Sequence, residues 1–200
     1  LELQVAQRRE IVDYLARRPR VAPSGTSWLY ATGDAHMLGP LLHAATGAWV
    51  CDYLSEKIWS KVGMENTASW WLDSPGGLEM CGSGLTATLP DYARFGLFML
   101  NGAVANGESV LPDGWIPEAT RPRQMNGKQV DYGYMWWPVA DSAGSFREAA
   151  YSARGIFGQY IYINPAQDLV IVTLSLRAKP RFSEVIPDND FFNAVTNSLR

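Results

Sequence analysis

Gln159-Tyr-Ile-Tyr-Ile163, Asn164-Pro-Ala-Gln-Asp168 and Leu169-Val-Ile-Val-Thr-Leu174 follow one another without interruption. The outer two runs are β-branched and aromatic, and the middle one is made of turn formers. Such a pattern predicts an antiparallel hairpin with a five-residue connection. Upstream of it, Tyr132 to Trp137 reads as another strand. Downstream, Asp190 to Leu199 reads as a closing helix whose Phe191, Phe192 and Val195 can pack back onto the sheet.

Further from the hairpin the pattern turns helical. Leu3 to Arg18 places Ile11, Val12 and Leu15 on one face and meets a stop at Pro19. The cluster Pro23-Ser24-Gly25-Thr26-Ser27 is a turn. One helix is expected from about Asp34 to Thr46 with Gly47 as its C-cap, and another from Val50 to Val62, ended by Gly63. Gly76 to Gly84 reads as a loop. Thr88-Leu-Pro-Asp91 resembles a capping box opening a helix to Leu100, and Leu111 to Thr120 adds a short one. Helices come first, then sheet, then a last helix, which predicts an α+β fold rather than a doubly wound one. Residues up to about 125 are then mainly helical, and those from about 130 to 200 carry the strands and the closing helix.

The 200 residues are 47% hydrophobic, enough for one sizeable core. A net charge of −3 argues against nucleic acid, whose phosphates demand a basic surface. Cys51 and Cys81 have no second cysteine or histidine cluster nearby, so neither a metal site nor a disulfide is expected, and no cofactor is implied. His36 and His43, seven apart on one expected helix, share a face without a third ligand. Trp70-Trp71 and Trp136-Trp137 read as core or cleft wall, with an aromatic sugar platform as the other reading.

The stretch Ser24-Gly-Thr-Ser-Trp-Leu-Tyr-Ala-Thr-Gly-Asp-Ala-His-Met-Leu-Gly39 resembles a segment of the serine β-lactamase and penicillin-binding-protein superfamily. Further matches follow in that family's order: Lys61-Val-Gly-Met64, Ser83-Gly-Leu-Thr-Ala-Thr-Leu-Pro-Asp-Tyr-Ala-Arg-Phe-Gly96, Val110-Leu-Pro-Asp-Gly-Trp115, Tyr132-Gly-Tyr-Met-Trp136 and Gly155-Ile-Phe-Gly-Gln-Tyr-Ile-Tyr-Ile-Asn-Pro165. The wording is nearest to the 6-aminohexanoate-dimer hydrolase and carboxylesterase branch. The resemblance implies a bacterial serine hydrolase that opens small ester or amide substrates through an acyl-enzyme.

Within that resemblance Tyr30 matches the residue that moves a proton between nucleophile and leaving group. A phenol titrates at about 10, so it serves as a base only where a nearby lysine favours phenolate. The plain alternative is a cleft tyrosine with one hydroxyl partner. Thr32 stands where the family often has Asn or Ser and offers either a substrate contact or a helix cap. Ala153-Arg-Gly-Ile156 matches the strand whose backbone amide forms half of an oxyanion hole, so Ile156 N–H is the expected donor. Gly155 then allows close approach of substrate, or simply makes a tight bend. Arg154 is the cation left to meet a substrate anion, and Trp136 lines the cleft.

The family's Ser-x-x-Lys is not found. The residues three before Lys57, Lys61, Lys128 and Lys179 are Leu54, Ile58, Met125 and Leu176. The expectation is therefore a C-terminal portion whose nucleophile lies on a preceding segment of the same protein. Such a portion should expose apolar surface and open strand edges, and pair with that segment or self-associate. A non-catalytic relative that binds an acyl or peptidoglycan-like ligand is the competing reading.

Overall fold

The computed structural model describes residues 10–180 and 183–199. The chain divides into two compact units between Thr88 and Leu89.

The first unit is a string of short helices and one small hairpin. α1 (Glu10–Ala16) is half-buried along Ile11, Val12 and Leu15, as the spacing predicts. The residues of that expected helix from 3 to 9 lie outside the described ones. Leu15 packs on Gly33, where a Cβ would lie 2.9 Å from its methyl. The single helix expected over Asp34–Thr46 is two: α2 (Thr32–His36) and α3 (Leu38–Thr46), separated at Met37. Pro40 explains the break, since it has no N–H to give the carbonyl four residues back, at His36. Gly47 ends α3 in the left-handed region at φ 73°, as expected.

α4 (Val50–Leu54) runs directly into a π-helical turn, Ser55–Trp59, and Gly63 closes the segment at φ 75°. On either side of the expected loop Gly76–Gly84, β1 (Ser69–Trp70) pairs with β2 (Leu85–Thr86), and Leu72 bridges Glu79. The Trp70 indole N–H fastens this hairpin to the carbonyls of Met80 and Ser83 at 3.0 and 3.1 Å.

The second unit has three layers. α5 (Leu89–Leu100) starts right after Thr88, where the capping box predicts, and its Asp91 is fully buried against Arg94 at 3.3 Å. Arg94 is thus the ion-pair partner of that buried carboxylate. Two tight hairpins follow, β3 (Val104–Ala105) with β4 (Glu108–Ser109) and β5 (Arg123–Met125) with β6 (Lys128–Val130). Between them lies α6 (Trp115–Thr120), shorter than expected because Pro112-Asp-Gly114 forms a turn closed by Trp115 N–H to the Pro112 carbonyl.

The principal sheet has the order β10-β9-β8-β7, all antiparallel: β7 (Trp137–Pro138), β8 (Tyr151–Arg154), β9 (Tyr160–Asn164) and β10 (Leu169–Thr173). The hairpin read from the sequence is present with Leu169 opposite Asn164. Its connection is a 3-10 turn, Pro165–Gln167, capped by the Asn164 side chain and left by Asp168 at φ 51°. The strand expected over Tyr132–Trp137 is mostly a turn. Gly133 N–H bonds to the Trp136 carbonyl at 2.8 Å and Met135 takes φ 64°, so pairing begins only at Trp137.

Alternation sorts the two faces of the sheet. Ile161 and Val170 meet Gly96 of α5, so tightly that a Cβ there would fall 2.6 Å from Val170. Tyr160, Tyr162, Leu169 and Ile171 face the other way, onto Phe192 of α7 (Asp188–Ser198). Phe192 stacks on Tyr162 with centroids 4.6 Å apart. Phe191, expected in the core beside it, is 39% exposed, because consecutive helical residues point about 100° apart.

Candidate active site

The sequence-predicted residues fall into both units. Tyr30 and Thr32 belong to the first; Trp136, Arg154, Gly155 and Ile156 belong to the second.

Residues 23–30 are exposed throughout and carry neither helix nor strand. The turn within them is real: Thr26 N–H and hydroxyl both bond to the Pro23 carbonyl, with Gly25 at φ 76°. Tyr30 is 49% exposed at the end of this segment, immediately before α2. Beside it, a concavity of about 690 Å3 is lined by Leu15, Pro19, Ser24, Leu29, Asp34 and Met37, among others. Thr32 is the first helical residue, and Ala31 holds the N-cap position with no side-chain cap, so the capping role weighed for Thr32 does not apply. Its side chain stays exposed.

The histidines do not form a pair. His36 Nδ1 accepts from Gly82 N–H at 3.0 Å, while His43 Nδ1 lies 2.9 Å from the Ala48 carbonyl and its ring stacks on Trp49. Cys51 and Cys81 are both free. Glu79, 5% exposed, takes the Cys51 backbone N–H at 3.0 Å. Burial and the Glu79 charge push the Cys81 thiol up to about 11. No group of three or more His, Cys, Asp or Glu among the described residues is arranged for a metal ion.

In the second unit the strand β8 ends at Arg154, and Gly155 and Ile156 follow it. Arg154 Nε donates to the buried Ser152 hydroxyl at 2.9 Å. Its guanidinium stands over the Trp137 and Tyr160 rings, at 5.3 and 5.9 Å from their centroids. Burial there lowers its hold on the proton, against the opposing pull of Tyr160 and Asp188. Trp136 points to the opposite face of the sheet, stacked on Phe95 of α5 and edge-on to Tyr151 at 5.0 Å. The structure therefore does not bring Arg154 and Trp136 into one wall.

Gly155 N–H donates to the Gln159 carbonyl at 2.8 Å, closing a tight turn between β8 and β9. The space beside Gly155 is taken by Gln159, whose Oε1 and Cβ would lie 2.5 and 2.9 Å from an added Cβ. Glycine is thus required by an internal neighbour, which accounts for it without a substrate. Ile156 is 65% exposed, and its N–H donates to no group among the described residues. Behind the turn, Asp188 of α7 receives the Tyr160 hydroxyl at 2.6 Å and both terminal nitrogens of Arg177. The network of Gln159, Arg177 and Asp188 was not singled out by sequence reasoning. Only the glycine pair flanking Ile156-Phe157, followed at once by an amide side chain, hinted at it.

A backbone amide without a partner among the described residues, on a strand-end turn held by its neighbours, is an arrangement that can stabilise an oxyanion. With the α5–sheet–α7 layering it fits the serine β-lactamase class. The sequence model of the β-lactamase family matches residues 2–191, so the chain belongs to that family. It is 28% identical over 157 residues to the 6-aminohexanoate-dimer hydrolase of Paenarthrobacter ureafaciens, covering 73% of this chain and 38% of that protein. Among solved structures, a candidate 6-aminohexanoate-dimer hydrolase from Bacillus anthracis superposes with a TM-score of 0.74 at 29% identity. That superposition covers 94% of this chain and 46% of the other. A β-lactamase from Mycobacterium bovis shares the fold, with a TM-score of 0.62 at 20% identity over 90% of this chain and 66% of that one. The chain thus spans less than half the length of its hydrolase relatives.

Proposed function

We propose that this chain is part of a serine hydrolase that opens amide or ester bonds of small linear substrates, the nucleophilic Ser and its Lys being supplied from outside the 200 residues. The observation that supports the reading is the Gly155–Gln159 turn with its unspent Ile156 amide, in the segment whose wording resembles the family's oxyanion strand. In this reading the serine oxygen bonds to the substrate carbonyl carbon and gives up its proton to the Lys–Tyr30 pair. Ile156 N–H takes the negative charge that builds on the carbonyl oxygen. The C–N or C–O bond then breaks, and the leaving amine or alcohol carries away the proton through Tyr30. Water repeats the sequence on the acyl-enzyme and frees the acid. A hydrolysable oligomer of an amino acid is the favoured substrate, by analogy with the named activity of the Paenarthrobacter relative. The resemblance assigns Tyr30 and the Ile156 amide to the reacting atoms; of the residues it assigns to substrate, Thr32 and Arg154 are kept, while Gly155 is accounted for by Gln159 and Trp136 lies on the α5 face of the sheet.

The test is intact mass analysis of the full-length gene product after treatment with a fluorophosphonate, beside a linear amide-dimer turnover assay. A single covalent adduct and release of free amine are expected, with Tyr30→Phe lowering kcat by roughly 10²-fold or more. An unlabelled, inactive full-length protein would sink the hydrolase reading and leave a ligand-binding member of the family.

A further inference from the structure

We infer that Gln159 is a positioning residue that sets the β8–β9 turn so that the Ile156 amide is held open; the catalytic meaning of this rests on the reading of Ile156 as oxyanion donor. The Gln159 side chain makes two hydrogen bonds of opposite sense. Its Oε1 accepts Phe157 N–H at 3.1 Å, and its Nε2 donates to the Ser175 carbonyl at 2.6 Å. A backbone carbonyl can only accept and a backbone N–H can only donate, so the two partners fix the orientation of the amide. Its backbone carbonyl takes the Gly155 N–H. One residue thus engages the amides on either side of Ile156 and leaves that of Ile156 itself unspent among the described residues.

The far end of the bridge is itself secured. Ser175 follows β10, where the Thr173 hydroxyl donates to the Gly158 carbonyl at 3.2 Å and Arg177 N–H to the Phe157 carbonyl at 3.1 Å. Gly158, at φ 88°, lies directly under the Arg177 guanidinium, where a Cβ would collide with it, and Arg177 is in turn clamped to Asp188. The turn is therefore tied to the segment after β10 by main-chain and side-chain bonds. Gln159 is the tie that also sets the direction of the 156–157 peptide. Glycine at 155 is the corollary, because any side chain there would displace the Gln159 amide. Misplacing a transition-state donor by about 1 Å costs on the order of 10²-fold in rate.

The experiment has two arms. In the full-length protein, amide hydrogen exchange followed by NMR should find Phe157 and Gly155 protected and Ile156 unprotected. Gln159→Leu should abolish Phe157 protection while Gly155, bonded to a backbone carbonyl, keeps its own. In the full-length protein, Gln159→Leu should lower kcat by about 10- to 100-fold with KM changed less than about threefold. Gln159→Glu supplies a signature that general destabilisation would not produce. Its neutral carboxyl offers one donor to Ser175 and one acceptor to Phe157, so its activity relative to the parent should climb as pH falls from 8 to 5.5. Phe157 protection unchanged in Gln159→Leu, or parental kcat in both variants, would overturn the inference. Lost protection in a full-length protein that takes no fluorophosphonate would instead uphold the positioning role and refute the hydrolase reading.

Discussion

The segment that carries Tyr30 and the turn that carries Ile156 are equally visible as family motifs, yet they are built by different physics. Residues 23–30 are exposed throughout, in a unit whose fully buried residues are Gly39, Gly77, Leu78 and Glu79 among those described. The 155–159 turn is tied by main-chain and side-chain bonds to a unit that buries Phe98, Met99, Tyr151, Ile161, Tyr162, Ile163 and Phe192. Burial of hydrocarbon is the main stabilising term, at roughly 25 cal/mol per Å2 of apolar surface. The second unit therefore holds the Ile156 turn by its own core. The first unit holds Tyr30 by short helices and a few polar ties.

The largest effect that could break this contrast is loss of the second unit's core. Phe192→Ala removes a ring stacked on Tyr162 and edge-on to Tyr160, and should cost about 3–5 kcal/mol. Leu78→Ala, at the one large hydrophobe buried in the first unit among the described residues, should fall at the low end of about 2–5 kcal/mol. Denaturant titration followed by near-UV circular dichroism checks both. Equal losses would mean that the two units share one cooperative core.

Gly96→Ala comes next and sets two rules against each other. Alanine in mid-helix ordinarily gains about 1 kcal/mol over glycine. Here the added methyl would sit 2.6 Å from Val170 Cγ1 and 3.1 Å from Ile161 Cγ2, on β-branched side chains that cannot swing away. Overpacking should win, for a net loss of about 1–3 kcal/mol in melting experiments. A stabilised Gly96→Ala chain would show that α5 can lift from the sheet at little cost.

These packing facts mark where the sequence was legible and where it was not. The 160–173 hairpin and α5 were readable because a strand pattern or a capping box repeats one local preference over many residues. The break at Met37 and the turn at Gly133-Tyr-Met135 were not. Each hangs on one carbonyl–amide partnership that a single proline or glycine alters. At the site, resemblance pointed to Gly155 and Ile156, but no periodic signal marks Gln159. Its two partners lie two residues before it and sixteen after it. Arg177 and Asp188 escaped notice for the same reason, since an ion pair across eleven residues leaves no spacing to read.

Asp188 makes the contrast testable by pH. Burial alone would raise its carboxyl, but the hydrogen bonds from Arg177 and Tyr160 outweigh burial and leave it below the ordinary range. A lowered carboxylate stabilises the fold fully above its unfolded value, about 3.9, and loses that contribution as pH falls through its folded value. Asp188→Asn should therefore melt below the parent at pH 7, and the gap should close in acid below about pH 4. A gap that stays constant from pH 7 to 2.5 would mean the carboxylate charge contributes nothing behind the turn.

The smallest effect belongs to the first unit, where one of the few buried residues is a carboxylate. Cys51 is exposed, yet its thiol is pushed up by the partial burial of its sulfur and then by Glu79 and Asp52. Glu79→Gln keeps an acceptor for the Cys51 backbone N–H and removes the charge, so more of the thiol ionises at a given pH. Iodoacetamide should then label Cys51 severalfold faster, less than about tenfold, since only part of the upward push comes from Glu79. Cys81 should remain slow, because burial more than the Glu79 charge lifts its thiol to about 11. If both cysteines accelerate together, the first unit has opened rather than lost a charge. Glu79 would then be holding the 72–85 hairpin against α4, doing with one carboxylate what Phe192 does with a ring in the second unit.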